Sequence, residues 1–191
     1  MTNKHGIFLI HGVLGSPNEY DELEAHLHKD GFLTHKLCLP GHHYLNTTPA
    51  REVTTEQILS HCIEHLDAFS QECKNIMVVG HSLGGASALY LASQGHEKVK
   101  GVIALAAPYN QAYTVNHHEG WFEVPFETWM RGLPHLPDQW TGLPRPQMTP
   151  LDYPHIQKET SFLFDTLSQE IPKLQIPTCL VHSVHDLVVP Y

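Results

Sequence analysis

Short apolar runs alternate with longer amphipathic segments along this chain. The apolar runs predict strands over 7–10, 34–39, 76–79, 99–106 and 178–182. Between them, apolar residues recur three or four positions apart, which predicts helices over 18–29, 54–70, 83–94 and around 162–171. Alternation of buried strands with helices is typical of a mostly parallel sheet covered by helices on both faces. The pattern therefore predicts an α/β fold.

One strand–helix junction carries a distinct chemical pattern. An apolar strand runs into Gly80-His81-Ser82-Leu83-Gly84 and then into a helix of small residues. A serine between two such glycines is typical of a sharp, strained turn that lifts a hydroxyl above the sheet, where larger flanking side chains would collide. The helix that starts at Leu83 directs backbone N–H groups and its positive end at the same place. The junction therefore predicts a nucleophile elbow at Ser82.

The composition changes in the second half of the chain. Eight of the fourteen prolines and all three tryptophans lie between Pro108 and Pro154. This stretch is too apolar for a linker and too rich in proline for long helices. It predicts an irregular cap insertion over about 108–157 within a single domain spanning 1–191. Its aromatic residues either line a substrate pocket or hold the cap on the sheet.

Composition and charge restrict the function classes. With 191 residues, 41% hydrophobic content and 16% charged content, the chain is large enough for a real core. The net charge is −9 and the 11 lysines and arginines form no cluster, which argues against nucleic-acid or anionic-membrane partners. The apolar run at 7–10 is too short for a signal peptide or membrane span. We expect a cytoplasmic protein with buried free thiols at Cys38, Cys62, Cys73 and Cys179.

Seventeen histidines raise the question of a metal site. The segment from His61 to His65 matches a His-x-x-Glu-His string, but it falls in an amphipathic helix whose core face holds Ile58, Ile63 and Leu66. We interpret these histidines as structural and His42-His43 and His117-His118 as loop residues. No phosphate-binding glycine loop occurs outside the elbow, so the sequence predicts neither a metal nor any other cofactor.

Four segments in order resemble the α/β-hydrolase superfamily, and within it the small carboxylesterases and monoacylglycerol-lipase-like serine esterases. They are the strand and His-Gly loop at 8–16, the Gly-His loop at 39–42, the elbow around Ser82, and the strand and acidic loop at 176–190. The resemblance implies an α/β-hydrolase fold. It also implies that Ser82 is the nucleophile, that Asp186 is the triad acid, and that Val13 and Leu83 supply the oxyanion-hole N–H groups. His11 and His81 are then structural neighbours.

The triad histidine has no counterpart in its usual place. In this superfamily the order is serine, acid, histidine, and the histidine follows a final strand. Only 187–191 follow Asp186 here. His185, next to the acid, is poorly placed to reach across to Ser82. His117, His118 and His135 of the cap would need an unusual geometry to act as the base. We therefore expect a chain that lacks the final strand, the histidine loop and the closing helix.

The leading functional hypothesis is a serine hydrolase that cleaves carboxylic esters of small or medium acyl chains through an acyl-enzyme on Ser82. Thioester hydrolysis and a proline-iminopeptidase-like activity use the same fold and catalytic residues, and we rank them below ester hydrolysis. The alternative class is a non-catalytic α/β-hydrolase-fold binding protein or an inactive fragment. The expected partner is a small ester substrate, and an open sheet edge would allow a homo-oligomer or strand pairing with another subunit.

Overall fold

The computed structural model describes residues 4–13, 15–42, 53–108, 112–117, 120–125, 163, 166–167 and 169–183, with 112–117 and 120–125 described as backbone. The strands are β1 (His5–Ile10), β2 (Leu33–Leu37), β3 (Asn75–His81), β4 (Val99–Leu105), β5 (Ala112–His117), β6 (Gly120–Pro125) and β7 (Thr178–Val181). The helices are α1 (Asp21–Lys29), α2 (Thr55–Ser70) and α3 (Leu83–Ser93), with 3₁₀ turns at Pro17–Tyr20 and Ile171–Lys173.

Five strands form one parallel sheet in the order β2-β1-β3-β4-β7. The register brings the carboxyl ends of the central strands together, because Ile10 at the end of β1 lies beside Leu37 of β2 and Gly80 of β3. On the other side, Leu105 at the end of β4 pairs with His81 and Val181. The predicted parallel α/β sheet is confirmed. All loops that follow these ends therefore emerge at one edge of the sheet, where open α/β sheets bind ligands.

Alternation along the strands divides the core between the two faces of the sheet. Phe8, Ile10 and Val78 belong to the larger apolar cluster, which includes the buried residues of α2 and α3. Leu9 and Val79, one position along, belong to a second cluster on the opposite face. This is the result expected when successive side chains of a strand point to opposite faces and both faces are covered.

Helix α2 forms as its sequence predicts. Thr54 is its N-cap, and the Thr54 and Gln57 side chains exchange hydrogen bonds with each other's backbone N–H groups in a capping box. Of the predicted core face, Ile58 and Leu66 are buried, and Ile63 is partly buried against the same cluster. The helix therefore covers the sheet through the expected stripe.

The helix expected over 18–29 is divided in two. A 3₁₀ turn, Pro17–Tyr20, precedes α1, and the Tyr20 hydroxyl donates a 2.8 Å hydrogen bond to the Ile10 carbonyl oxygen. Tyr20 is buried, whereas Leu23 is 40% exposed and α1 buries none of its residues. The apolar spacing predicted the helix, but the residue that fixes this segment to β1, Tyr20, lies in the turn before it.

The expected irregular cap contains regular structure in its first part. Strands β5 and β6 form an antiparallel hairpin, with Ala112 opposite Pro125 and His117 opposite Gly120. The remainder of the cap predicted over about 108–157 lies outside the described residues. Around 163–170 the described residues are helical, and Leu163 and Leu167 are buried. Phe162 and Phe164, which the apolar spacing also selected, lie outside the described residues.

The expectation of four buried thiols was partly wrong. The four cysteines are unpaired, and Cys62 and Cys73 are buried, but Cys38 is half-buried and Cys179 is exposed. Cys179 lies in β7, where its neighbours Leu180 and Val181 are exposed as well. Within the described ranges, no helix combines the length and the apolar character needed to cross a bilayer.

Candidate active site

The turn between β3 and α3 places Ser82 in a strained backbone conformation. Its dihedral angles are φ 53° and ψ −119°, in a region that side-chain-bearing residues seldom adopt. The Ser82 N–H donates to the Leu105 carbonyl oxygen at 2.9 Å, and the Ser82 carbonyl oxygen accepts from the Ala86 N–H at 3.0 Å. Neighbouring strand and following helix therefore hold the serine in place from both sides.

Two glycines make this turn sterically possible. A Cβ on Gly80 would lie 2.0 Å from the Gly84 carbonyl oxygen, and a Cβ on Gly84 would lie 2.1 Å from the Ile10 carbonyl oxygen. Both obstacles are backbone atoms, which cannot rotate away as a side chain can. The close approach of β3, α3 and the end of β1 therefore requires glycine at both positions, as the sequence predicts.

Helix α3 begins directly after the serine and directs its N-terminus at the site. The first intrahelical bond is accepted by Ser82 from Ala86, so the N–H groups of Leu83, Gly84 and Gly85 precede the first helical donor. These groups and the helix dipole favour negative charge beside Ser82. The helix is fixed there because Leu83 through Leu89 are all buried. The predicted position of the Leu83 donor is thus compatible with the geometry.

The loop after β1 lies against the elbow. A Cβ on Gly12 would lie 3.2 Å from Ser82 Cβ and 3.1 Å from His81 Nδ1, so the backbone at Gly12 packs directly on this pair. The Gly15 N–H donates to the Gly12 carbonyl oxygen at 3.0 Å, which closes a tight turn through Val13. Among the hydrogen bonds of the described residues, none engages the Val13 N–H. The structure thus brings Val13, Leu83 and Ser82 into one neighbourhood.

His11 is a buried structural link. The Leu39 N–H donates to His11 Nε2 at 3.0 Å, so Nε2 is unprotonated, and the Nδ1–H donates to the Gly12 carbonyl oxygen at 2.7 Å. Burial lowers the pKa of His11 to about 4, which agrees with this neutral tautomer. Because both ring nitrogens are engaged, His11 joins the loops after β1 and β2 and is not available as a base.

Glu19 and His81 form a pair beside the loop after β1. Glu19 Oε2 lies 3.2 Å from His81 Nδ1 and 3.5 Å from the Gly12 nitrogen. Burial by itself raises the pKa of the Glu19 carboxyl, but the hydrogen bond and charge of His81 outweigh this effect and lower it. The carboxylate is therefore the favoured form next to the elbow.

The carboxyl end of β7 joins the same edge of the sheet. The Ala106 N–H donates to the Val181 carbonyl oxygen at 2.8 Å, and Ala106, like Ser82, has a positive φ, of 45°. The chain thus leaves β7 at the same edge of the sheet as the elbow, but Asp186 itself lies outside the described residues. So do His118, His135 and His185. His117 is described only as backbone, and the expectation that it lies in a loop was wrong, because it is the last residue of β5.

The histidines of α2 make structural contacts. His61 Nε2 lies 3.1 Å from the Cys38 carbonyl oxygen, and His65 Nδ1 lies 3.3 Å from His35 Nε2. His35 also stacks on Phe8 with ring centroids 5.2 Å apart. In the described part of the chain, no group of three or more His, Cys, Asp or Glu residues is arranged to hold a metal ion.

Two features of the site were not identified from the sequence. Glu19 follows the loop after β1 by a few residues, and no motif distinguishes it from other surface carboxylates. Ala106 directly follows the ordinary apolar strand β4, and nothing in its residue type predicts a positive φ. The only signal for Glu19 is its place next to Tyr20, whose hydroxyl anchors the turn to Ile10.

Comparison with known proteins identifies the family. The family model described as the alpha/beta hydrolase fold matches residues 7–191. The chain therefore belongs to the α/β-hydrolase family, as the sequence motifs predict.

Particular relatives are lipolytic enzymes. The thermostable monoacylglycerol lipase of Bacillus sp. (strain H-257) is 30% identical over 107 residues, which are 53% of this chain and 40% of the lipase. The chain's match thus spans well under half the length of that curated relative. Two solved structures share the fold. The structure reported for the metagenome-derived lipolytic enzymes LipS and LipT has a TM-score of 0.73 at 19% identity and covers 100% of this chain and 76% of the other. The monoacylglycerol lipase of Paleococcus ferrophilus has a TM-score of 0.69 at 15% identity, with coverage of 99% and 78%.

Proposed function

We propose that this protein is a serine hydrolase of carboxylic esters. The Ser82 hydroxyl attacks the ester carbonyl, the alcohol leaves, and an acyl-enzyme remains on Ser82. Water then attacks the acyl-enzyme and releases the acid. The N–H groups of Leu83 and Val13 stabilise the oxyanion that forms in each step, and Asp186 orients the imidazole that accepts the serine proton.

The observation that carries the proposal is the strained turn at Ser82. A non-glycine residue at φ 53° costs about 1–3 kcal/mol. Glycine would adopt this turn without that cost, and the neighbouring Gly80 and Gly84 already make the turn possible. A hydroxyl held at a helix N-terminus in this conformation suits nucleophilic attack. A purely structural turn needs no serine there.

The general base is a histidine other than His11. Both nitrogens of His11 are engaged, by the Gly12 carbonyl oxygen and the Leu39 N–H. His81 directs Nδ1 to Glu19, so it is occupied on one side. We propose that the base is a histidine supplied from outside the described residues.

The substrate class is an ester of a small or medium acyl chain. Support comes from the similarity to a bacterial monoacylglycerol lipase and from a fold shared with lipolytic enzymes. A series of p-nitrophenyl esters from acetate to palmitate measures the acyl preference directly. We expect kcat/KM to be highest for the short and medium chains.

The decisive experiment is active-site labelling. The folded protein is incubated with a fluorophosphonate probe and its intact mass is measured, with Ser82→Ala and Ser87→Ala as variants. Ser87 is a matched control because its hydroxyl is buried on the same helix and bonds the Leu83 carbonyl oxygen. Labelling of the wild type and of Ser87→Ala, but not of Ser82→Ala, supports the proposal. Folded protein that resists labelling would favour the non-catalytic binding alternative.

A further inference from the structure

The loop after β1 is held in place by a carboxylate that it encloses. Glu19 lies on the 3₁₀ turn Pro17–Tyr20, and the hydrogen bond from Tyr20 to the Ile10 carbonyl oxygen fixes this turn to the end of β1. Glu19 Oε1 occupies the space beside Gly15, because a Cβ on Gly15 would lie only 1.7 Å from this oxygen. Its Oε2 faces the Gly12 nitrogen and His81 Nδ1. The carboxylate thus fills the inside of the turn from Gly12 to Gly15.

The same carboxylate connects this turn to the elbow. His81 is the residue directly before Ser82, and its ring also lies against Gly12, where a Cβ would be 3.1 Å from Nδ1. Glu19 therefore contacts both Gly12, which precedes Val13, and His81, which precedes Ser82. The separation of Gly12 and His81 sets the distance from the Val13 N–H to Ser82.

We propose that Glu19 and His81 are positioning residues, which brace the Gly12–Gly15 turn against the elbow and set the oxyanion-hole geometry. This inference rests on the proposed function, because it assigns the turn a catalytic use. A carboxylate near a developing oxyanion would oppose catalysis if it were uncompensated. The Gly12 N–H and His81 Nδ1 both face Glu19 Oε2, so hydrogen bonds from the turn and from the elbow offset part of that charge.

The first test measures the turn itself and does not depend on activity. Amide hydrogen exchange of Gly12, Val13 and Gly15 is compared in wild type, Glu19→Ala, His81→Ala and the double variant. Glu22→Ala is the matched control, because Glu22 is exposed on the adjacent helix α1. We expect exchange to be about tenfold faster in each single variant and no faster in the double variant, because the two residues act as one brace.

The second test measures catalysis through the rate of Ser82 phosphonylation. Glu19→Ala should slow labelling by about tenfold or more, since a misplacement of about 1 Å in a catalytic geometry can cost about a hundredfold. Glu19→Gln keeps an acceptor for the Gly12 N–H and should recover most of that loss at pH 7. The ratio of wild-type to Glu19→Gln rates should fall towards one as the pH drops through the lowered pKa of the Glu19 carboxyl. The titratable groups that interact electrostatically with this carboxyl are His11, Tyr20, His42 and His81.

The two tests separate the inference from the proposed function. Suppose that wild-type Ser82 is not labelled but that the amides of the Gly12–Gly15 turn exchange faster in Glu19→Ala than in Glu22→Ala. The positioning role of Glu19 is then supported and the hydrolase proposal fails. If wild type is labelled and Glu19→Ala changes neither exchange nor labelling, the brace is overturned. Additive effects of Glu19→Ala and His81→Ala on exchange would also overturn it, since independent contacts add.

Discussion

Acidification should destabilise this protein through His11. The ring is fully buried, and its Nε2 accepts the Leu39 N–H, so protonation would break that bond and place a charge in the core. Burial lowers the pKa of His11 from its ordinary value of 6.5 to about 4. Because the pKa is lower in the folded state, the unfolded chain binds more protons between these values. The contribution of neutral His11 to the free energy of unfolding is therefore fully present above pH 6.5 and is lost as the pH falls towards 4.

The size of this effect follows from the two pKa values. One pKa unit is worth about 1.4 kcal/mol, so His11 alone contributes about 2 kcal/mol of lost stability between pH 7 and pH 5, and about 3 kcal/mol by pH 4. These losses are a large part of the about 5–15 kcal/mol by which domains are usually stable.

Urea unfolding at pH 7 and pH 5 measures the effect, with His11→Gln as the test variant and His5→Gln as the control. Gln at position 11 does not titrate but loses part of the hydrogen bonding, so it should cost about 1–3 kcal/mol at pH 7. The difference in free energy of unfolding between His11→Gln and wild type should be smaller by about 2 kcal/mol at pH 5 than at pH 7. His5 is exposed at the start of β1, and its replacement should leave the pH dependence unchanged. An unchanged disadvantage of His11→Gln at both pH values would refute the assignment of acid sensitivity to His11.

Three further predictions concern the elbow and the capping box. Ser82→Gly should abolish labelling yet raise the free energy of unfolding above that of Ser82→Ala by about 1 kcal/mol, because glycine tolerates φ 53°. Equal stabilities of the two variants in thermal unfolding would count against strain at this turn. Gly80→Ala should cost about 3 kcal/mol, since its Cβ meets the Gly84 carbonyl oxygen, and denaturant unfolding checks this loss. Thr54→Ala should cost about 1 kcal/mol by removing the cap of α2, whereas Thr54→Ser should retain nearly all of the stability in the same assay.

Much of the fold was predictable because it depends on local pattern. The order of strands and helices follows from apolar periodicity, and the elbow follows from Gly80, Ser82 and Gly84, whose types are dictated by a turn only a few residues long. Such features are encoded by neighbours in sequence, so they can be identified without knowing the rest of the chain.

Other features depend on contacts between distant segments. Cys179 is exposed in β7, the last strand at one edge of the described sheet, and sequence spacing does not specify which strand takes that place. The hairpin of β5 and β6 was not expected from a proline-rich stretch, because strand pairing is decided by the partner strand.

Within the candidate site, the sequence by itself predicted the elbow at Ser82, the helix that follows it and a structural role for His11. Only the tertiary structure decided that Glu19 lies between Gly12 and His81, which is 62 residues away along the chain. The physical reason is that a charged side chain acquires its role from what surrounds it. The packing of the 3₁₀ turn on the end of β1 brings that carboxylate to the elbow, and no local pattern records this.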